Sequence, residues 1–168
     1  MIFCVDLHTY AVSSAADTAP AGQSFAEQYR AVLLTYPAEI SGYKTEYTLY
    51  DIDQDGTPEL IVRKNISEYY IYTFDGTDVI PSSVNYWNYS NCLYAYDGNG
   101  IIVHNGGQGS MHIEYIDLYS MVNDQLEWAE TLMTTEECSD DELYAFRDTL
   151  TPIDNFIPIT DDSYLSNS

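Results

Sequence analysis

Four apolar–tyrosine dipeptides, Leu49-Tyr50, Ile71-Tyr72, Leu93-Tyr94 and Leu118-Tyr119, recur at intervals of 22, 22 and 25 residues. Each is followed by a turn rich in Asp, Gly or Asn and then by another apolar run. The turns are Asp51 to Gly56, Asp75-Gly76, Asp97-Gly98 and Asn123-Asp124. Such turns between alternating apolar segments signal hairpins, because their central residues accept positive φ. The pattern predicts four consecutive hairpins, so about eight strands in an antiparallel β-meander. Tyr, Val, Ile and Thr dominate these strands, as a half-buried pleated surface prefers. A β-propeller blade needs four strands, so eight strands fall short of a closed ring of blades.

Two helices flank the β region. Ser24 followed by Glu27 is a capping box, and Phe25, Tyr29, Val32, Leu33 and Tyr36 then share one helical face. Pro37 ends that helix, since the residue before a proline avoids the α region. Ser139 with Glu142 repeats the device, Leu143, Phe146 and Leu150 follow on one face, and Pro152 closes it. The expected class is α+β, a single twisted sheet or two packed sheets with an N-terminal and a C-terminal helix packed on it.

Charge narrows the partners. Across 168 residues, 27 acids face 5 bases, for a net charge of −22. The bases (Arg30, Lys44, Arg63, Lys64 and Arg147) are scattered, so no cationic stripe exists to neutralise phosphates. That argues against nucleic acid and against an anionic membrane surface as partners. A 45% hydrophobic content, with 17 tyrosines, is too apolar for a disordered acidic chain. No stretch approaches the ~20 apolar residues that span a bilayer. Such a chain has an appetite for cations.

Residues 1–22 read as a leader or the remnant of an export signal, with small residues at Ser13, Ala15 and Ala16, although Asp6 and His8 interrupt the apolar run. A single domain is expected over 23–160, followed by an acidic tail over 161–168. The cysteine count is odd, at 3. Cys92 and Cys138 are expected as two buried free thiols, with a bridge between them in an oxidising compartment as the alternative.

One segment carries chemistry. From Asp51 to Val62 the chain reads Asp51-Ile52-Asp53-Gln54-Asp55-Gly56-Thr57-Pro58-Glu59-Leu60-Ile61-Val62. Carboxylates at loop positions 1, 3, 5 and 9 converge on one centre, Gly56 supplies a sharp turn, and Thr57 offers its backbone carbonyl. A hard cation needing six to eight oxygens suits this set, and Ca²⁺ tolerates the irregular arrangement better than Mg²⁺. Position 12 is Val62 rather than a bidentate Glu, and the flanks read as strands, so this is not an EF-hand. The missing bidentate ligand points to the micromolar-to-millimolar affinity of extracellular modules.

The DxDxDGxxE pattern between two strands resembles the calcium hairpins of FG-GAP/VCBS-type, integrin-like repeats. The stretch from Thr48 to Val62 is also similar to a single such hairpin in Tyr-rich β domains of secreted proteins and lipoproteins of anaerobic Gram-positive bacteria. The resemblance implies ligands at Asp51, Asp53, Asp55, the Thr57 carbonyl and Glu59, and a secreted or cell-surface location. The other hairpins lack the extra acids, which does not suit a multi-calcium array.

Other candidates are weaker. His104 and His112 bracket a glycine-rich stretch that matches no zinc or nucleophile-elbow signature, and it reads chiefly as a connection between the third and fourth hairpins. Tyr86, Trp87 and Tyr89 would stack on sugar rings if exposed; the competing reading is packing over a sheet edge. Trp128, on an alternating strand, is expected in the core. Acid pairs for glycoside hydrolysis are too cheap among so many carboxylates to single one out. The leading reading is therefore a non-enzymatic, calcium-stabilised extracellular domain. A module binding carbohydrate or cell-surface polymer comes second, and a hydrolase using the His104–His112 loop third.

Overall fold

The computed structural model describes residues 24–65, 68–82, 86–87 (backbone only), 92–106 and 113–166. Both capping boxes form. In α1 (Phe25–Leu33) the Ser24 Oγ accepts from the Glu27 N–H and the Glu27 carboxylate accepts from the Ser24 N–H, an arrangement worth about 1 kcal/mol. The helix buries Ala26, Tyr29 and Leu33 and is capped at Leu34, short of Pro37. In α2 (Asp140–Arg147) Ser139 and Glu142 repeat the exchange, with three acids in the first turn and Arg147 in the last. Those charges complement the helix dipole.

The four predicted hairpins are all present. They are β3 (Glu46–Tyr50) with β4 (Glu59–Arg63), β5 (Glu68–Phe74) with β6 (Val79–Pro81), β8 (Cys92–Ala95) with β9 (Ile101–Asn105), and β10 (Tyr115–Val122) with β11 (Gln125–Thr134). The last turns on Asn123 and Asp124, both at positive φ (50° and 60°), as a two-residue hairpin matching the strand twist requires. Four short strands were not legible: β1 (Glu39–Ile40), β2 (Tyr43–Lys44), β7 (Tyr86–Trp87) and β12 (Ile157–Pro158). β1 and β2 form a small ribbon, and β7 shares β5 with β6.

The meander is not continuous. It divides into one sheet ordered β12-β3-β4-β5-β6, here sheet I, and another ordered β11-β10-β9-β8, sheet II. The two sheets face each other across a core in which Ile61, Tyr69 and Ile71 of sheet I meet Leu93, Ile101, Val103, Met121 and Leu126 of sheet II. The outer face of sheet I, through Tyr47, Leu60 and Val62, packs against α1 and a final short helix α3 (Ser163–Ser166). The outer face of sheet II, through Tyr94, Ile102, Ile116 and Leu118, packs against Leu143 of α2. The result is four layers, helix–sheet–sheet–helix. With both faces covered, β4 is buried at four successive residues, Glu59 to Val62.

Three expectations need correction. Trp128 is 59% exposed on β11, the outermost strand of sheet II, rather than in the core. Cys92 and Cys138 are both free thiols, but neither is fully buried: Cys138 is half-buried, and Cys92, which opens β8 at the sheet margin, is exposed. Residues 161–166 are not a tail: α3 buries Leu165 beside α1, and Asp162 pairs with Arg30 at 3.7 Å. The leader over 1–22 lies outside the described residues. Among the described residues, no helix is long and apolar enough to cross a membrane.

Candidate metal centre

The loop from Asp51 to Pro58 joins β3 to β4 at one end of sheet I. Ile52 fixes its position, being fully buried in the core between the sheets. Around that anchor the backbone needs two positive φ values, 62° at Gln54 and 94° at Gly56. A Cβ at Gly56 would meet open space, so the demand for glycine there is conformational rather than steric.

Backbone N–H groups hold each acid in turn. Asp51 Oδ2 accepts from the Gly56 N–H at 3.1 Å, Asp53 Oδ1 from the Asp55 N–H at 3.1 Å, and Asp55 Oδ1 from the Thr57 N–H at 2.6 Å. Glu59 Oε2 accepts from the Ile52 N–H at 2.7 Å. One carboxylate oxygen from each of Asp51, Asp53 and Glu59 lies within 4.8 Å of the others. Oxygens bound to one Ca²⁺ at 2.3–2.6 Å are at most about 5 Å apart, so this spacing fits a shared ion. Asp55 is exposed and not among the three; its carboxylate closes its own turn, and the half-buried Thr57 serves as its donor.

The three acids sit where negative charge is costly. Glu59 is 2% exposed; burial chiefly, and then the Asp53 and Asp51 charges, push its carboxyl up to about 8 against the pull of the Ile52 N–H. Asp53 is raised too, by burial first and then by the charges of Asp55 and Asp51. Asp51 Oδ1 is buried and accepts no hydrogen bond. Buried polar atoms of this kind are rare and costly. No ion pair among the described residues reaches this cluster; Arg30, Arg63, Lys64 and Arg147 all pair elsewhere. The donor set is all oxygen and anionic, as a hard divalent cation prefers.

Two supports were not singled out in the sequence. Tyr29 of α1 is fully buried and donates its hydroxyl to the Pro58 carbonyl at 3.0 Å. From sheet II, the Gly100 N–H donates to the Ile52 carbonyl at 2.9 Å, and Gln54 Nε2 to the Gly98 carbonyl at 3.3 Å. Gly100 has φ 158°, and a Cβ there would collide with the Tyr119 carbonyl. The Asp97–Gly100 turn is legible as a turn, but nothing local signals that it docks on the first hairpin.

The histidine candidate resolves differently. His104 lies within β9, not in a loop, and is 4% exposed. Its Nε2 is 2.8 Å from Glu114 Oε2, while Glu114 Oε1 accepts from the Tyr144 hydroxyl at 2.8 Å. This half-buried polar link joins sheet II to α2. Tyr86 and Trp87 form β7 against Tyr69 and Glu68 of β5. Tyr89 and His112 lie outside the described residues. Comparison with family models, curated proteins and solved structures finds no match to the chain.

Proposed function

We infer that the chain is a non-enzymatic, calcium-binding extracellular domain in which one Ca²⁺ stabilises the loop between β3 and β4. The observation that carries this reading is Asp51 Oδ1, buried without a donor beside the carboxylates of Asp53 and the deeply buried Glu59. A cation supplies the missing partner and offsets the like-charge repulsion in one step. Asp51, Asp53 and Glu59 provide the converging oxygens. Asp55 and the Thr57 carbonyl complete the set suggested by the resemblance to FG-GAP/VCBS-type hairpins.

Binding to the folded state alone stabilises it by about 2.7 kcal/mol at an ion concentration 100 times Kd. In a domain of this size that raises the Tm by roughly 5–10 °C. Thermal unfolding in calcium, in magnesium and in chelator tests the reading. Calcium should raise the Tm well above the other two conditions. Superimposable curves in calcium and chelator would remove the basis for it.

A further inference from the structure

We propose that a second site, separate from the metal centre, binds a neutral saccharide in the cleft beneath the C-terminal crossing segment. After α2 the chain runs along the margin of sheet II, where Tyr94 bridges Pro152, the Ala95 N–H donates to the Thr151 carbonyl and the Ile153 N–H to the Leu93 carbonyl. It then crosses to sheet I as β12, which pairs only with Glu46 and Tyr47 of β3. Among the described residues no strand covers that edge of β3 from Thr48 to Tyr50. The crossing roofs a cleft of about 480 Å³ against this edge, a volume in the range of small-molecule sites.

The lining selects the ligand class. The cleft is lined by the exposed Thr151 and Asn155, by Tyr50 and by Tyr164, whose hydroxyl donates to the Asn155 carbonyl at 3.0 Å, over the buried Thr48; the remainder is aliphatic. In a chain with 27 acids, no Asp, Glu, Lys, Arg or His lines the cleft among the described residues. A cation finds no carboxylate there, and an anion finds no base while facing a net charge of −22. An uncharged ligand with many hydroxyls and one C–H-rich face fits. Tyrosine rings offer amphipathic contact area, and the amide and hydroxyls both donate and accept. An extended peptide is the weaker fit, because the free edge is only Thr48 to Tyr50, closed by β12 on one side and by the Asp51 loop on the other.

Nuclear magnetic resonance titration of the isotope-labelled full chain, with calcium present throughout, tests this apart from the metal site. The probes are maltose, cellobiose, lactose and diacetylchitobiose with their tetrasaccharide homologues, and an uncharged strand-forming peptide. A saturable shift at Thr48–Tyr50, Ala95, Thr151–Asn155 and Tyr164 with at least one saccharide is expected. Asn155→Ala and Thr151→Val change exposed residues, so the fold is retained, and each should weaken binding about fivefold, as loss of one hydrogen bond does. Ala95→Met should block the cleft. The proposal is overturned if no saccharide shifts these resonances, if the shifts centre on Tyr86 and Trp87, if the variants bind as tightly as the parent, or if only the peptide binds.

Discussion

The Glu59 carboxylate, 2% exposed, accepts a 2.7 Å hydrogen bond from the Ile52 N–H across the base of the loop that the two residues close. The bond holds this carboxyl at the rim of the inter-sheet core, beside Asp51 and Asp53. Without a counter-ion, the fold must either keep a proton there or bear the repulsion.

Glu59→Gln should therefore act in opposite directions with and without the ion. Gln retains an acceptor for the Ile52 N–H while removing one charge from the cluster. In chelator the variant should melt no lower than the parent, and in calcium it should lack most of the parent's stabilisation. Paired melting curves check this, and a chelated variant several degrees less stable would contradict it.

Asp53 and Asp55 should separate in calorimetric calcium titrations. Asp53 contributes an oxygen to the converging trio, whereas Asp55 is turned to its own Thr57 N–H. Asp53→Asn should weaken binding by at least about tenfold, near 1.4 kcal/mol, and Asp55→Asn by less. Equal losses would mean that the loop rearranges to bring Asp55 in.

Gly100→Ala should cost more than Gly56→Ala. At Gly56 only the positive φ opposes a side chain, a penalty of about 1 kcal/mol. At Gly100 the new Cβ also meets the Tyr119 carbonyl, and the Ile52 carbonyl stands to lose its donor. A loss above about 2 kcal/mol is expected, together with weaker calcium binding although no ligand has changed. Denaturant unfolding with a calcium titration measures both.

Alkali should unfold the protein through its tyrosines. Burial, first among the causes, pushes Tyr47, Tyr70 and Tyr94 up to about 12, with carboxylates near Tyr47 and Tyr70 adding to it. Tyr29 and Tyr36 are raised further. An unfolded tyrosine titrates near 10. Because the folded values are raised, this contribution to stability is complete below pH ~10 and is lost as pH rises from there through the folded values. Tyrosinate absorbance should thus rise in two stages, the second coinciding with loss of circular dichroism. A single stage near pH ~10 with the fold intact would refute it.

Local signals carried much of this structure. Ser24/Glu27 and Ser139/Glu142 located both larger helices, and the Asp, Gly and Asn turns located four hairpins. The layers were not legible, because the repeated dipeptides feed both sides of each sheet. Ile71 and Leu93 enter the inter-sheet core while Tyr72 and Tyr94 face helices; at Leu49-Tyr50 and Leu118-Tyr119 the tyrosine takes the inner side instead. Pattern alone cannot say which face meets which partner. The convergence of Asp51, Asp53 and Glu59 was legible in the loop's spacing, but the turning away of Asp55, and the support from Tyr29 and Gly100, had no local mark.

The crossing segment bears on how this chain comes to be folded. Thr151 to Ile153 border sheet II, Ile157 and Pro158 border sheet I, and Leu165 completes the packing under α1. Neither sheet is finished at that margin until these residues exist, so a nascent chain stalled before Thr151 leaves two raw strand edges side by side, the geometry that recruits neighbouring chains into aggregates. The two sheets are shielded from copies of the chain at that margin only once the segment from Thr151 to Leu165 has been made and docked.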